Sequence, residues 1–321
     1  MPKFSFLVAA CLGLSALHAF ADDGQILEEV TIIGDRDGVR TLLASGALVD
    51  SEQVANEVLV DINQALKTVP GIYIQEEDGY GLRPNIGIRG ATSERSSKIS
   101  LLEDGVMIAP APYSNPSAYY FPTAARMHAF EVIKGAPLLR YGPHTTGGVL
   151  NMVSTPIPDS ARGRLRSFAG QNGEIDVLAN YGGTSGNWGY LVETTQRRSD
   201  GFKDIDRGGD TGYEVSDYMA KVSWEANGHR LFVKAQYSEE TSDETYLGLT
   251  DADFASRTNR RYGLSAPDQM NNEHEGYMAS YSTDLADNVA LSLTAYLNKF
   301  SRDWFKLSGG GKLVSAANAG D

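Results

Sequence analysis

After Pro158 the sequence falls into segments in which apolar and polar residues alternate. Leu231, Val233, Ala235 and Tyr237 fall on one face of an extended segment, and Arg230, Phe232, Lys234 and Gln236 fall on the other. Val289, Leu291, Leu293, Ala295 and Leu297 repeat the arrangement against Ser292, Thr294 and Asn298. The segments run for about ten residues and are parted by Gly, Asn and Asp. A strand with one oily and one wet face suits a barrel wall with lipid outside and a polar interior. Tyr190, Tyr213, Tyr218, Trp224, Tyr281, Tyr296 and Trp304 lie towards segment ends, as an aromatic girdle would, although soluble β-proteins also carry aromatic residues there.

The other end of the chain says how it leaves the cytoplasm. Met1-Pro2-Lys3 precedes an apolar run from Phe4 to Leu17, and Ala19-Phe20-Ala21 supplies a small-x-small cleavage site before Asp22. This is the pattern of a secretory signal peptide, and it is too short for a membrane span. No later stretch approaches the roughly 18 apolar residues of a transmembrane helix. A chain that spans a membrane without such helices does so as a closed barrel, because an open sheet leaves unpaired edges in lipid. Cys11 is the only cysteine, so the chain after cleavage has neither disulfides nor thiolate metal sites. The formal net charge of −13 argues against a nucleic-acid partner.

One stretch organises what lies between. Phe130-Glu-Val-Ile-Lys-Gly-Ala-Pro-Leu-Leu-Arg-Tyr-Gly-Pro-His-Thr-Thr-Gly-Gly-Val-Leu-Asn-Met-Val-Ser-Thr-Pro156 reads as strand, glycine-rich turn, strand. Gly142 gives the turn conformational freedom and Pro143 fixes the next φ. Arg140, Tyr141, Gly142 and Pro143, followed by Gly147, Gly148 and Asn151, resemble the end of the plug domain of TonB-dependent outer-membrane receptors. Further features fall in the plug's usual order. A short helix over Asp61–Pro70 is capped by Asp61, has Gln64 at capping-box spacing, and is ended by Pro70 in Val-Pro-Gly. Strands are predicted over Gly71–Gln75, Asn85–Gly90 and Lys98–Gly105, with Asp104-Gly105 as the turn of a hairpin. A polar loop, Glu76–Pro84, separates the first two strands. A proline- and aromatic-rich loop runs from Ala109 to Pro122, and Thr123–Met127 is a brief helical turn.

The resemblance implies an α+β plug domain inside a transmembrane antiparallel β-barrel. Such barrels close with about 22 strands, of which only the first seven or so are present here. The predicted layout is a signal peptide (1–21), a periplasmic N-terminal segment (22–50), the plug (51–158) and the N-terminal part of the barrel (159–321). A chain ending in Ala-Ala-Asn-Ala-Gly-Asp, with no terminal strand, is expected to continue in a longer protein. Leu27, Glu28, Glu29, Val30, Thr31, Ile32 and Ile33 are acidic, then β-branched and apolar, which suits strand addition to a partner's sheet edge. Read alone, this segment is equally a first strand of the domain. Beside the plug it resembles a TonB box, and the implied partners are TonB and the ExbB-ExbD complex.

No catalytic constellation emerges: nucleophile elbow, HExxH, P-loop and GxGxxG patterns are absent, and no enzyme activity is expected. His128, His144, His229 and His274 are scattered. Glu76-Glu77-Asp78 reads as a solvated acidic loop, with a cation site as its alternative. No cofactor is expected, iron being carried as a chelate. The candidate ligand loop is Ala91–Lys98, where Arg95 and Lys98 attract an anionic chelate and Ser93, Ser96 and Ser97 donate hydrogen bonds, with Tyr113 from the following loop. Ala-Pro-Tyr after the Asp-Gly turn, the Arg-Tyr-Gly-Pro turn and Glu244–Phe254 resemble the ferric-dicitrate receptors of this family, the last as a barrel segment. Glu94 in the loop, and Lys98 where an Arg would bind carboxylates better, depart from a citrate site. No signalling domain is expected ahead of the box. Other siderophores, haem, cobalamin or a sugar stand as alternative ligands, and a passive porin as the rival reading.

Overall fold

The structure, a computed structural model, describes residues 31–33, 36–41, 45–56, 61–108, 120–135, 141, 146–206, 208–286, 288–307 and 312–315. The leader, Leu27–Val30, Tyr113, Arg140, Gly142, Pro143 and His144 lie outside the described residues.

The first part of the chain contains α1 (Arg36–Thr41), β1 (Ser45–Val49), α2 (Ser51–Asn56), α3 (Ile62–Lys67), β2 (Ile72–Gln75), β3 (Asn85–Ile88), β4 (Ile99–Glu103), β5 (Val106–Met107), β6 (Met127–Lys134) and β7 (Gly148–Ser154). Five of these strands form a sheet in the order β1-β6-β7-β4-β5. The pairing of β4 with β7 is parallel, and the other pairings are antiparallel. β2 and β3 make a separate hairpin. Asp61 caps α3 as expected, accepting from Asn63 N at 2.8 Å. Asp104 and Gly105 take φ of 50° and 79°, the paired positive values that an Asp-Gly hairpin turn needs.

In the five-stranded sheet β6 and β7 are buried along nearly their whole length, so their polar residues, Glu131 and Asn151 among them, are buried with the apolar ones. On one face Phe130, Val132, Leu150 and Met152 pack with Ile62 and Leu66 of α3 and with Ile86 and Ile88 of β3. On the other, Leu102, Ile133 and Val149 pack against Ile33. The expected plug boundary at 51 is corrected by β1, which pairs with β6 from Ser45 onward and so belongs to the plug's sheet.

The second part contains β8 (Arg162–Ala169), β9 (Ile175–Ser185), β10 (Trp188–Ser199), β11 (Asp204–Ile205), β12 (Tyr213–Ala226), β13 (His229–Ser242), α4 (Asp251–Ser256), β14 (Arg260–Arg261), β15 (Gln269–Ala286) and β16 (Val289–Phe305). Seven of its strands form one antiparallel sheet in sequence order, from β8 to β16. Two-residue turns, Gly186-Asn187 and Asn227-Gly228, join strands at one end. The connections 170–174, 200–212 and 243–268 lie at the other. In an outer-membrane barrel the short turns face the periplasm and the long loops face outward. β11 and β14 pair in parallel and so join the two longest of these loops.

The period of two holds. In β13, Leu231 and Val233 are 37% and 42% exposed, whereas Phe232 and Lys234 are each 4% exposed. Along β16, the last described strand of the sheet, both faces are largely open. Two expectations are corrected. Tyr213 is not part of a lipid-facing girdle: it is buried inside against Tyr80, with ring centroids 5.0 Å apart. Glu244–Phe254 is not barrel wall but part of the loop between β13 and β15, and it includes the start of α4.

Candidate functional site

The plug loop 91–98 sits beside the long-loop end of the barrel sheet. Its geometry is set by a serine. Ser96 is fully buried, its Oγ donates to Pro84 O at 2.8 Å and it accepts from Ile86 N at 3.0 Å. Ser96 therefore pins the loop to the start of β3, which corrects its expected role as a ligand donor. Ser93 is also buried, Ser97 is half-buried and Lys98 is exposed. Arg95 adopts φ of 51° and Ser96 φ of 54°, left-handed conformations that few non-glycine residues take.

Arg95 is not a bare cation awaiting an anion. Its two terminal nitrogens donate to the Glu77 carboxylate at 2.6 Å and 2.7 Å, and Nη2 also donates to Tyr246 Oη at 2.9 Å. Glu76-Glu77-Asp78 is thereby neither a cation site nor merely solvated. Glu76 pairs with Lys67, Glu77 with Arg95 and Asn85, and Asp78 accepts from the backbone N–H groups of Tyr80, Gly81 and Arg83. Tyr246 links the plug loop to the barrel. Its ring meets Trp304 edge-on at 4.7 Å. Lys306 Nζ lies 3.6 Å from the Tyr246 ring centroid and 4.1 Å from that of Trp304, a cation held over two aromatic faces. The buried Trp304 Nε1 has no hydrogen-bond acceptor among the described residues. Arg95, Tyr246, Trp304 and Lys306 thus offer charge, flat apolar surface and N–H donors together. These groups are chemically suited to an anionic or ring-bearing solute.

Below this apex, Arg83 Nη1 and Nη2 donate to Glu240 at 3.0 Å and 2.5 Å. Glu244 lies 4.0 Å from the same guanidinium, with its buried Oε1 lacking a hydrogen-bond partner among the described residues. Burial pushes the Glu244 carboxyl up to about 7, against the pull of Arg83. A second network fills the plug-barrel boundary. Arg126 of the plug, 1% exposed, donates to both Glu103 oxygens at 2.6 Å and 3.0 Å and to Asp217 of β12 at 3.0 Å. Lys234 of β13 bonds both Glu103 and Asp104, and Lys221 of β12 lies 3.7 Å from Asp104. Burial pushes the Glu103 carboxyl up, but Arg126 and Lys234 outweigh it and hold it down to about 2.

These partners were not read from the sequence. The available signal was charge in unexpected places: Glu103 and Asp104 end an apolar strand, and Lys221 and Lys234 fall on the inward face of theirs. Of the plug-end motif, Tyr141 packs on the Ile133 side of the plug sheet. Gly147 and Gly148 sit where a Cβ would come within 2.9 Å of Lys98 O and 2.6 Å of Ile88 Cδ1. Asn151 lies opposite Glu131 in the β6–β7 register.

Residues 39–149 match the TonB-dependent receptor plug domain family. Over that segment the chain is similar to TonB-dependent receptors. Its relatives are outer-membrane β-barrel proteins. The unliganded crystal structure of the ferric citrate transporter FecA superposes with a TM-score of 0.75 at 20% identity, over 92% of this chain and 44% of that one, and so shares its fold. The vitamin B12 transporter BtuB of Photobacterium profundum is 24% identical over 234 residues, which are 70% of this chain and 38% of BtuB. The ferric enterobactin receptor of Pseudomonas aeruginosa is 25% identical over 190 residues, 53% of this chain and 24% of that receptor. The chain thus spans less than half the length of each.

Proposed function

We propose that the receptor to which this chain belongs imports a ferric chelate across the outer membrane. In this reading ferric dicitrate is the first candidate ligand, TonB with ExbB-ExbD is the energy source, and the protein uses no cofactor of its own. The observation that carries it is the apex, where plug loop and barrel loop meet at Arg95, Tyr246, Trp304 and Lys306 on the side of the long connections. Chelate would bind there through Lys98 and Lys306 and compete with Glu77 for Arg95. The Leu27–Ile33 segment would be the handle engaged in the periplasm. Work done on that handle rearranges the plug, provided that bound ligand changes the handle's availability, since only a difference between two states shifts an equilibrium.

A corrinoid is the second reading. It is favoured by the similarity to the vitamin B12 transporter BtuB and by the aromatic character of Tyr246 and Trp304, which suits a large ring system better than citrate. The experiment is fluorescence quenching of the purified full-length receptor, titrated with ferric dicitrate, a ferric catecholate, a ferric hydroxamate and cyanocobalamin. Saturable quenching by ferric dicitrate alone, weakened by Lys98→Ala and Lys306→Ala, supports the first reading. A response to cyanocobalamin alone replaces it with the second. Deleting Glu28–Ile33 should abolish uptake and leave binding intact, whereas a passive porin would be indifferent.

A further inference from the structure

The Glu131 carboxylate holds the inner end of the N-terminal segment on the plug. Glu131 lies in β6, fully buried, on the sheet face that Ile33 covers. Its Oε2 accepts from Ile32 N at 2.8 Å and its Oε1 from Ile33 N at 2.9 Å. Asn151, its cross-strand neighbour in β7, donates from Nδ2 to Oε2 at 2.8 Å. The other end of the same amide, Oδ1, accepts from Gly105 N at 2.9 Å. Gly105 follows Asp104, the turn residue whose carboxylate bonds Lys234 of the barrel and the Ser154 backbone N–H.

We propose that Glu131 is a catch that holds the N-terminal segment on the plug, and that Asn151 ties this catch to the Asp104-Gly105 turn gripped by the barrel lysines. The catch is bistable for a physical reason. A buried carboxylate must have its lone pairs satisfied, and here two backbone N–H groups of the segment do so. When Ile32 and Ile33 lift away, water reaches the same oxygens and rehydrates the charge. Both states are therefore satisfied, which keeps the difference between them small enough for a modest displacement to tip. The displacement available is that of the turn. If Gly105 N withdraws, Asn151 loses the bond that fixes its amide, and its hold on Oε2 slackens. The barrel interior and the segment are thereby linked by contiguous hydrogen bonds through the plug sheet. The catch stands on this geometry alone, and only its use for energy coupling rests on the function proposed above.

The test uses the full-length receptor in lipid vesicles, without ligand or TonB. The sequence after the leader has no cysteine, so a nitroxide at Glu29→Cys is the only label in this part of the receptor. Its mobile-to-immobile ratio is read by electron paramagnetic resonance. Glu131→Gln turns one acceptor into an N–H facing an N–H, and should raise that ratio about tenfold. Asn151→Leu leaves both backbone bonds and cuts the relay, and should raise it roughly threefold. An unchanged ratio in Glu131→Gln overturns the catch, and an unchanged ratio in Asn151→Leu overturns the relay. A label at the exposed Gln64→Cys on α3 checks the plug fold. Should Glu131→Gln mobilise that label too, Glu131→Asp decides: it keeps the charge but withdraws it by one methylene, so a raised Glu29→Cys ratio supports the catch and an unchanged one overturns it. The readout involves no transport, so its failure leaves the proposed function standing, and failed transport leaves the catch standing.

Discussion

Arg126→Met should loosen the plug more than any change of similar volume elsewhere in its core. Arg126 joins three segments: its guanidinium spans both oxygens of Glu103 and reaches Asp217 of β12, and all three side chains are at most 2% exposed. Methionine replaces the volume of the stem and none of the five donors. Glu103 keeps Lys234 as a partner. Asp217 has no other ion-pair partner among the described residues and is left as a buried carboxylate. Breaking a buried pair from one side costs about 3–5 kcal/mol, most of it the stranded charge. With a urea m-value of about 2 kcal/mol/M, the midpoint for plug unfolding inside the receptor should fall by roughly 1.5–2.5 M. The assay is urea titration of the receptor carrying a fluorophore on an exposed plug residue. Adding Asp217→Asn to Arg126→Met should recover at least about 1 kcal/mol, because the stranded charge is gone. A midpoint shift below roughly 0.5 M, or no recovery in the double variant, would refute the argument that the ionic network secures the plug.

Other outcomes follow from the same geometry. Ser96→Ala should destabilise the apex by about 2 kcal/mol, since it leaves the Ile86 N–H and the Pro84 carbonyl buried without their partner. Urea titration measures that loss, while ligand affinity at saturating folding conditions stays within about twofold. Glu244 has a folded-state value of about 7 against an ordinary 4.5. The folded loop therefore binds the extra proton, and its stability is full below about pH 4.5 and declines as pH rises through 7. Glu244→Gln should flatten this slope, removing up to about 3 kcal/mol of pH dependence in loop protection measured by hydrogen exchange. Glu103 runs the other way: held down to about 2, it contributes stability present above about pH 4.5 and lost as pH falls towards 2. Acid titration of the plug fluorophore should show this loss, and Glu103→Gln should reduce it. Gly212→Ala places a Cβ 1.7 Å from the Ser199 carbonyl oxygen, and hydrogen exchange should show the 200–212 loop opened.

What was legible in the sequence was local. The Asp61 cap, the Asp104-Gly105 turn and the two faces of β13 each depend on residues within a few positions, and each stands in the fold as expected. The candidate site was legible only as a segment. Arg95 was visible as a cation, but its pairing with Glu77, 18 residues away, and with Tyr246, 151 away, depends on which loops the sheet brings together. Ser96 misled for the same reason: a serine in a polar loop looks like a donor to ligand until the neighbouring strand claims both of its hydrogen bonds. In the sequence Glu131 is one polar residue within the strand that opens the Phe130–Pro156 stretch. Nothing within that strand indicates that the backbone N–H groups of Ile32 and Ile33 lie over it.

The ionic network also bears on the order in which the molecule assembles. Arg126 finds its barrel partner at Asp217, Asp104 at Lys221 and Lys234, and Arg83 at Glu240. All of these lie in β12 and β13. The plug's buried Arg126, Asp104 and Arg83 are thus paired by the fourth and fifth strands of the barrel sheet. Loop-closure cost grows only slowly with separation, so seating the plug against these strands need not wait for the barrel to close. We expect a cysteine cross-link between the 104–105 turn and β12 to form in assembly intermediates whose final strands are still unpaired. The plug would then act as a template around which the barrel closes, and not as a stopper inserted into a finished pore.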